Sequence, residues 1–336
     1  MAMQRGRRTR QLVAVIVALV ALAGACSGST HDDPIDNSGP AATTSATALS
    51  TEIPDSTPTG DLAFLGPVHT VPVGPVDIAY RQFGSGPPLV MVVGQDSSMS
   101  YWGPDLLRRL ADHFTVITPD NRGVGHSADP LDGPLRMSQM ADDTSGLIEA
   151  LDLDHPTLFG WSTGGEIALT LAVRHAGQLG PIVLSGATAG GPGSTPAPPE
   201  LDALLASSDP VDQVKLLDEL FTPSGAAARD AYITGLLSMP ADEVSAATEA
   251  RQADAEAAFA ADSTVADRLS SIGSPVLVTD GADDRLVPTA NATFIADRIP
   301  GAQLLLVPDT SHAWMLQQID RFVAVLVAFS AGRPVP

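Results

Sequence analysis

Gly160-Trp161-Ser162-Thr163-Gly164 is the stretch on which the fold turns. A Gly-x-Ser-x-Gly pentapeptide alone arises by chance, and its surroundings give it meaning. Residues 157–159 form a short apolar strand just before it, and residues 166–174 have helical spacing just after it. A strand that turns at once into a helix holds its corner residue in strained φ/ψ space. Glycine at the flanking positions relieves crowding against neighbouring backbone there, and Gly165 extends the small patch. The Ser162 hydroxyl is then expected above a sheet, near the positive end of the following helix.

On either side of this corner, apolar strands alternate with helices. Residues 71–76 and 77–83 pattern as a hairpin turning at Gly74-Pro75. Residues 88–93 carry the unbroken run Leu89-Val90-Met91-Val92-Val93, as expected of a strand buried on both faces in a parallel sheet. A helix over 106–113, a strand over 115–119 and a helix over 138–151 lead to the strand at 157–159. After the helix at 166–174, residues 181–184 form another strand. The pattern is that of an α/β domain with a mainly parallel sheet. From about 190 to 270 the alternation stops. Gly- and Pro-rich residues 190–199 lead into helical segments near 200–206, 212–221, 225–239 and 242–261, which predicts a helical cap over the carboxyl ends of the strands. Strands resume at 275–278 and 303–307 with a helix at 290–298 between them, and a last helix is expected over 315–329.

A serine hydroxyl is a poor nucleophile at neutral pH, so it needs a base. The chain has seven histidines. His31 falls in polar N-terminal sequence, His69, His113, His155 and His175 at loops or element ends, and His126 in a glycine-rich turn. His312 follows the final strand across the short loop Pro308-Asp309-Thr310-Ser311 and precedes the last helix, which makes it the candidate base. A third group must orient that base and stabilise its protonated form. Gly281-Ala282-Asp283-Asp284-Arg285-Leu286-Val287-Pro288 follows the strand at 275–278 and offers two adjacent acids. The spacing favours Asp284, with Asp283 as competitor.

Ser, Asp, His in that chain order, together with the strand-corner-helix context, resembles the α/β-hydrolase superfamily over about 67–329, in its capped esterase, peptidase and perhydrolase-like branch. Asp120-Asn121-Arg122-Gly123-Val124-Gly125-His126-Ser127 is similar to that family's Asp-x-Arg-Gly-x-Gly-x-Ser turn, and Arg122 and His126 are read as structural. The resemblance implies two N–H donors for an oxyanion. One is the backbone of Thr163. The other comes from the loop after the strand at 89–93, where this chain has Val93-Gly94-Gln95 in place of the family's His-Gly, so by position Gln95 donates. Trp102, Trp161 and Trp314 fall near these motifs, as pocket lining or as core.

No Cys, His and carboxylate cluster has metal-ligand spacing, and no phosphate-cradling Gly-Lys loop occurs, so neither metal nor cofactor is expected. The expected partner is a small acyl substrate. A formal net charge of −21 repels phosphate backbones, which argues against nucleic acid. The first 25 residues contrast with the rest: Arg5, Arg7, Arg8 and Arg10 precede an apolar run from 12 to 25, and no acid occurs before Asp32. That run is too short to span a bilayer and reads as a secretory signal. Leu22-Ala23-Gly24-Ala25-Cys26 resembles a bacterial lipobox, which implies that Cys26, the single cysteine, carries a lipid anchor outside the cytoplasm; plain secretion is the alternative. Residues 26–65 are expected to be a disordered tether, 66–189 and 271–336 the two parts of the core, and 190–270 the cap.

The reaction expected is cleavage of an ester, or an amide, through an acyl-enzyme. Two alternatives stay open: cofactor-free perhydrolysis at the same triad, and a non-catalytic surface lipoprotein that uses the fold for binding.

Overall fold

In the computed structural model, the run that begins at Pro88 becomes an interior strand of a nine-stranded sheet. The structure describes residues 50–129, 133–207, 209–240, 242 and 244–336. The signal segment, Cys26 and most of the expected tether lie outside the described residues.

The strands are β1 (Thr51–Glu52), β2 (His69–Val73), β3 (Val76–Gly84), β4 (Pro88–Val92), β5 (Thr115–Pro119), β6 (Thr157–Trp161), β7 (Ile182–Ser185), β8 (Val276–Gly281) and β9 (Gln303–Val307). Their spatial order is β1-β2-β3-β5-β4-β6-β7-β8-β9. The first three pairings are antiparallel and the rest parallel. Helices α1 (Pro104–Ala111), α2 (Met137–Ala150) and α3 (Thr163–Arg174) connect the strands of the first half. Helices α8 (Ala290–Ala296), α9 (Trp314–Gln317) and α10 (Ile319–Ser330) follow β8. Between β7 and β8 lie α4 (Pro199–Ala206), α5 (Pro210–Glu219), α6 (Ala226–Ser238) and α7 (Ala246–Ala261), in the segment where a cap is expected.

Alternation along the interior strands sorts the core into two layers. Val90, Val92, Leu158 and Leu184 pack with Met140, Leu169 and Ile295 on one face. Leu89, Met91, Phe159 and Val183 pack with Leu106, Leu110 and Phe322 on the other. Each such buried side chain stabilises the fold by about 1.5–3 kcal/mol. This two-sided burial is why β4 and β6 read as unbroken apolar runs rather than alternating ones.

The chain leaves β4 toward β5 on one side and, after β5, crosses to β6 on the other. Strand order therefore reverses at β4, which opens a crevice outside the carboxyl ends of β4 and β6. Open α/β sheets bind their ligands at such a switch point. Here it is bracketed by Gly94-Gln95 and Ser162.

Two expectations need correction. The tether does not extend to residue 65. β1 pairs with β2, Ile53 N donates to Val68 O (2.8 Å), and a 3-10 turn at Gly60–Leu65 seats Leu65 fully in the core. Buried Arg81 donates to Ser56 O (3.0 Å) and to Gly66 O. The few apolar residues of this stretch have no period of their own and gain order by docking on β2 and β3. The last helix also divides, because Gln318 leaves helical geometry (φ −129°, ψ 59°) between α9 and α10.

Candidate active site

Ser162 sits between β6 and α3 with φ 58° and ψ −128°, a left-handed conformation that costs a non-glycine residue on the order of 1–3 kcal/mol. Its neighbours make the corner possible. A Cβ on Gly160 would lie 2.3 Å from Gly164 O, and one on Gly164 would lie 1.9 Å from Val92 O. Only glycine lets α3 start this close to β4. Ser162 N donates to Ser185 O (2.9 Å), which ties the corner to the end of β7.

His312 and Asp284 meet across β8 and β9. The ring Nδ1 is 2.7 Å from Asp284 Oδ2, and Asp284 Oδ1 accepts from Val287 N (2.9 Å). Both side chains are buried, whereas Asp283 points to solvent, so geometry separates the two adjacent acids. The His312 ring lies 5.5 Å from that of Trp161, whose indole N–H donates to His312 O (3.0 Å). The residue just before the serine therefore braces the histidine. Gly186 (φ 56°) leaves the space these two occupy, since a Cβ there would lie 2.5 Å from His312 Cε1. Among the described residues the ring's only side-chain hydrogen bond is that to Asp284; none joins it to Ser162 Oγ. Such contacts commonly tighten only when substrate is bound.

Gln95 and Thr163 flank the serine. A Cβ on Gly94 would lie 3.1 Å from Ser162 Cβ, so the loop after β4 passes directly beside Ser162. The backbone N–H groups of Gln95 and Thr163 make no hydrogen bond among the described residues.

The cap supplies contacts that the sequence did not announce. Gln252 of α7 is buried, and its Oε1 accepts from Asp96 N (2.8 Å), pinning the loop that lacks the family's histidine. One turn later Glu256 Oε1 accepts from Thr163 Oγ1. Glu166 of α3 lies near it and accepts from Thr188 Oγ1 (2.6 Å). Burial raises both carboxyls, and the charge of Glu256 raises Glu166 further. The visible signal was spacing: Thr248, Gln252 and Glu256 recur every fourth residue on an otherwise Ala-rich helix.

The Asp-Asn-Arg-Gly turn is a brace. Arg122 grips Asp143 with two bonds (2.6 and 2.5 Å), both groups buried. Asp120 accepts from Met99 N (2.7 Å) and His126 N (3.2 Å); burial, then the charge of Asp242, pushes it up to about 8. Trp102 and Trp314 are fully buried core residues, the latter donating to Ser185 Oγ and Thr279 Oγ1 (3.1 and 3.2 Å). A mostly apolar groove of about 360 Å³ lies between α1, α6 and the turn into α10, but none of Ser162, Asp284 and His312 lines it. Among the described residues no three His, Cys, Asp or Glu side chains group as metal ligands would.

Known proteins are similar to this chain in sequence and fold. A putative carbamate hydrolase, RutD, of Caulobacter sp. (strain K31) is 28% identical over 279 residues, which cover 77% of this chain and 98% of that one. The solved esterase RhEst1 from Rhodococcus sp. ECU1013 matches with a TM-score of 0.65 at 26% identity, over 79% of this chain and 98% of its own. Est816, an N-acyl homoserine lactone degrading enzyme, gives 0.64 at 28%, over 77% and 99%. A family model for the alpha/beta hydrolase fold matches residues 87–317, and the chain, with its mainly parallel sheet, its strand-helix corner at Ser162 and its low-identity hydrolase relatives, belongs to that family as a hydrolase enzyme.

Proposed function

We propose that the protein is a serine hydrolase that cleaves a carboxylic ester through an acyl-enzyme intermediate. The observation that carries this is the strained Ser162 backbone at the strand-helix corner. In this reading Ser162 Oγ attacks the carbonyl carbon while His312 Nε2 takes its proton. Asp284, bonded to Nδ1, keeps the ring in the tautomer that leaves Nε2 free to accept, and stabilises the ring once it is charged. The Gln95 and Thr163 N–H groups, without other partners among the described residues, donate to the oxyanion. His312 then returns the proton to the leaving alcohol, and water releases the acid by the same steps. The esterase, lactone-degrading and carbamate hydrolase names of the relatives share one electrophile, a carbonyl bearing a heteroatom leaving group, which fits this chemistry.

A fluorophosphonate probe tests the assignment. It should label the unaltered protein and fail on Ser162→Ala, with thermal unfolding little changed. Labelling that persists in the variant would place the nucleophile elsewhere. A chain-length series of p-nitrophenyl esters then reads the acyl preference. We further propose export with a lipid on Cys26, anchoring the enzyme to the cell membrane on the side facing away from the cytoplasm. Radiolabelled fatty acid should enter the protein in cells and be lost in Cys26→Ala; equal incorporation would refute the anchor.

A further inference from the structure

Asp280 is a buried carboxyl that the mechanism above does not use. It stands near the carboxyl end of β8, four residues before Asp284, with 1% of its surface exposed. Its Oδ1 accepts from Gly281 N (2.9 Å). Its Oδ2 is shut away from solvent and finds no donor. What Asp280 does reach is the carboxyl of Asp284. Two carboxylates have no hydrogen between them, so the contact becomes a bond only when one of the pair keeps its proton.

The surroundings decide which one. β7 and β9 flank β8 and contain no charged residue, and α8 contains none. Asp283 and Asp309 point to solvent, and Arg285 turns outward to Glu200 (2.7 Å) and Glu219 (3.3 Å). Among the described residues of these elements, therefore, no cation faces Asp280. Asp284, by contrast, already accepts from Val287 N and from His312 Nδ1, two bonds that suit a carboxylate. Burial first, and then the charge of Asp284, drives Asp280 well above the ordinary carboxylate range.

We propose that Asp280 is a positioning residue for the triad: as the carboxylic acid it donates a hydrogen bond to Asp284 and holds that carboxylate square to the His312 ring. The proposal rests on reading Ser162, Asp284 and His312 as a triad. The sequence pattern that singled out Asp284 gave Asp280 no part, because inside an apolar strand it looks like the strand's polar end.

The test follows the His312 ring itself by NMR in 15N-histidine-labelled protein, assigned by comparison with His312→Gln, alongside ester turnover. Asp280→Asn replaces the O–H donor by an N–H donor and changes no charge if Asp280 holds its proton. The His312 titration midpoint should then stay within about 0.3 pH unit, and kcat within about threefold. Asp280→Ala removes the donor, concentrates charge on Asp284 and should move the midpoint upward, with kcat falling by about 10- to 100-fold. If Asp280 is instead a carboxylate, Asn deletes a negative charge beside the pair and the midpoint drops by about one unit, which overturns the proposal. A midpoint and kcat unmoved in both variants would overturn it as well. Should the Ala variant not fold, the Asn variant alone decides: a midpoint within about 0.3 pH unit supports the proposal, and a fall of about one unit overturns it. Should no ester be turned over even by the unaltered protein, the proposed function fails while the ring titration still judges Asp280.

Discussion

Replacing Gly94 by alanine separates a backbone approach made for chemistry from one made for packing. The new Cβ would lie 3.1 Å from Ser162 Cβ, 3.5 Å from Trp161 O and 3.6 Å from Ser162 Oγ. Ordinary contact begins near 3.4 Å, so the loop must retreat by about 0.3 Å, and Gln95 goes with it. A misplacement of about 1 Å costs on the order of 10²-fold, so about 0.3 Å costs roughly fourfold. The methyl also stands where a substrate carbonyl would approach Oγ, and the combined loss of kcat/KM should be about 10-fold. Gly94 has no left-handed φ, so its alanine form carries no backbone strain, and Tm should move by no more than about 2 °C.

Gly164 is the control. Its Cβ would fall 1.9 Å from Val92 O, and reaching ordinary contact needs a shift of about 1.5 Å between two backbones. Gly164→Ala should lose stability first, with a large fall in Tm or no soluble protein. The assay is p-nitrophenyl acetate hydrolysis with Tm measured on the same samples. Full turnover in Gly94→Ala would refute the role given to the loop, and so would a Tm loss there as large as in Gly164→Ala.

Asp284→Asn should lower kcat by about 10⁴, because the amide cannot hold the needed tautomer, while Asp283→Asn stays within a few-fold; equal losses in steady-state assays would undo the choice between them. Arg122→Ala leaves Asp143 buried without its cation and should cost about 3–5 kcal/mol by urea unfolding, with KM for any ester that remains a substrate nearly unchanged. Glu166 and Glu256 bind protons more tightly in the folded chain than at the free value of 4.5, so their contribution is fully present below that pH and is lost as pH rises through their raised folded values. Tm should therefore fall from mildly acidic to mildly basic pH, and Glu256→Gln should flatten that slope; a slope unchanged by calorimetry would mean that burial does not hold the Glu256 carboxyl above its free value.

The parts of the fold legible in the sequence were those where one local rule acts alone. Strands β5 and β9 occupy the residues expected of them, because an apolar run bounded by turn residues leaves few alternatives. Strand β6 runs two residues further than expected, through Trp161, since pairing with β7 continues up to the serine itself. Residues 50–65 depart from expectation for the opposite reason. Ile53, Phe64 and Leu65 obey no period, and the order they gain comes from surfaces elsewhere: Phe64 meets Phe83 edge-on at 5.7 Å and lies under Arg108. At the site, chain order and spacing brought Ser162, Asp284 and His312 forward, whereas Asp280 needed its neighbours' positions to acquire meaning.

The cap shows most clearly why tertiary placement outruns sequence. Helix α7 contacts the two backbone segments assigned to the oxyanion, Asp96 through Gln252 and Thr163 through Glu256. Those contacts are four residues apart on one helix, a rise of about 6 Å, so a single rigid element spans both sides of the serine. A small slide or roll of α7 would move both segments together, whereas a loop anchored by a histidine of its own would answer to the core alone. Composition hides this. An Ala-rich helix with scattered polar residues reads as a solvated surface helix until the partners of its buried face are known, yet Thr248, Glu249 and Gln252 are each at most 4% exposed. In this chain the loop after β4 is held by the cap through Gln252, and the geometry of the site depends on how that cap is seated.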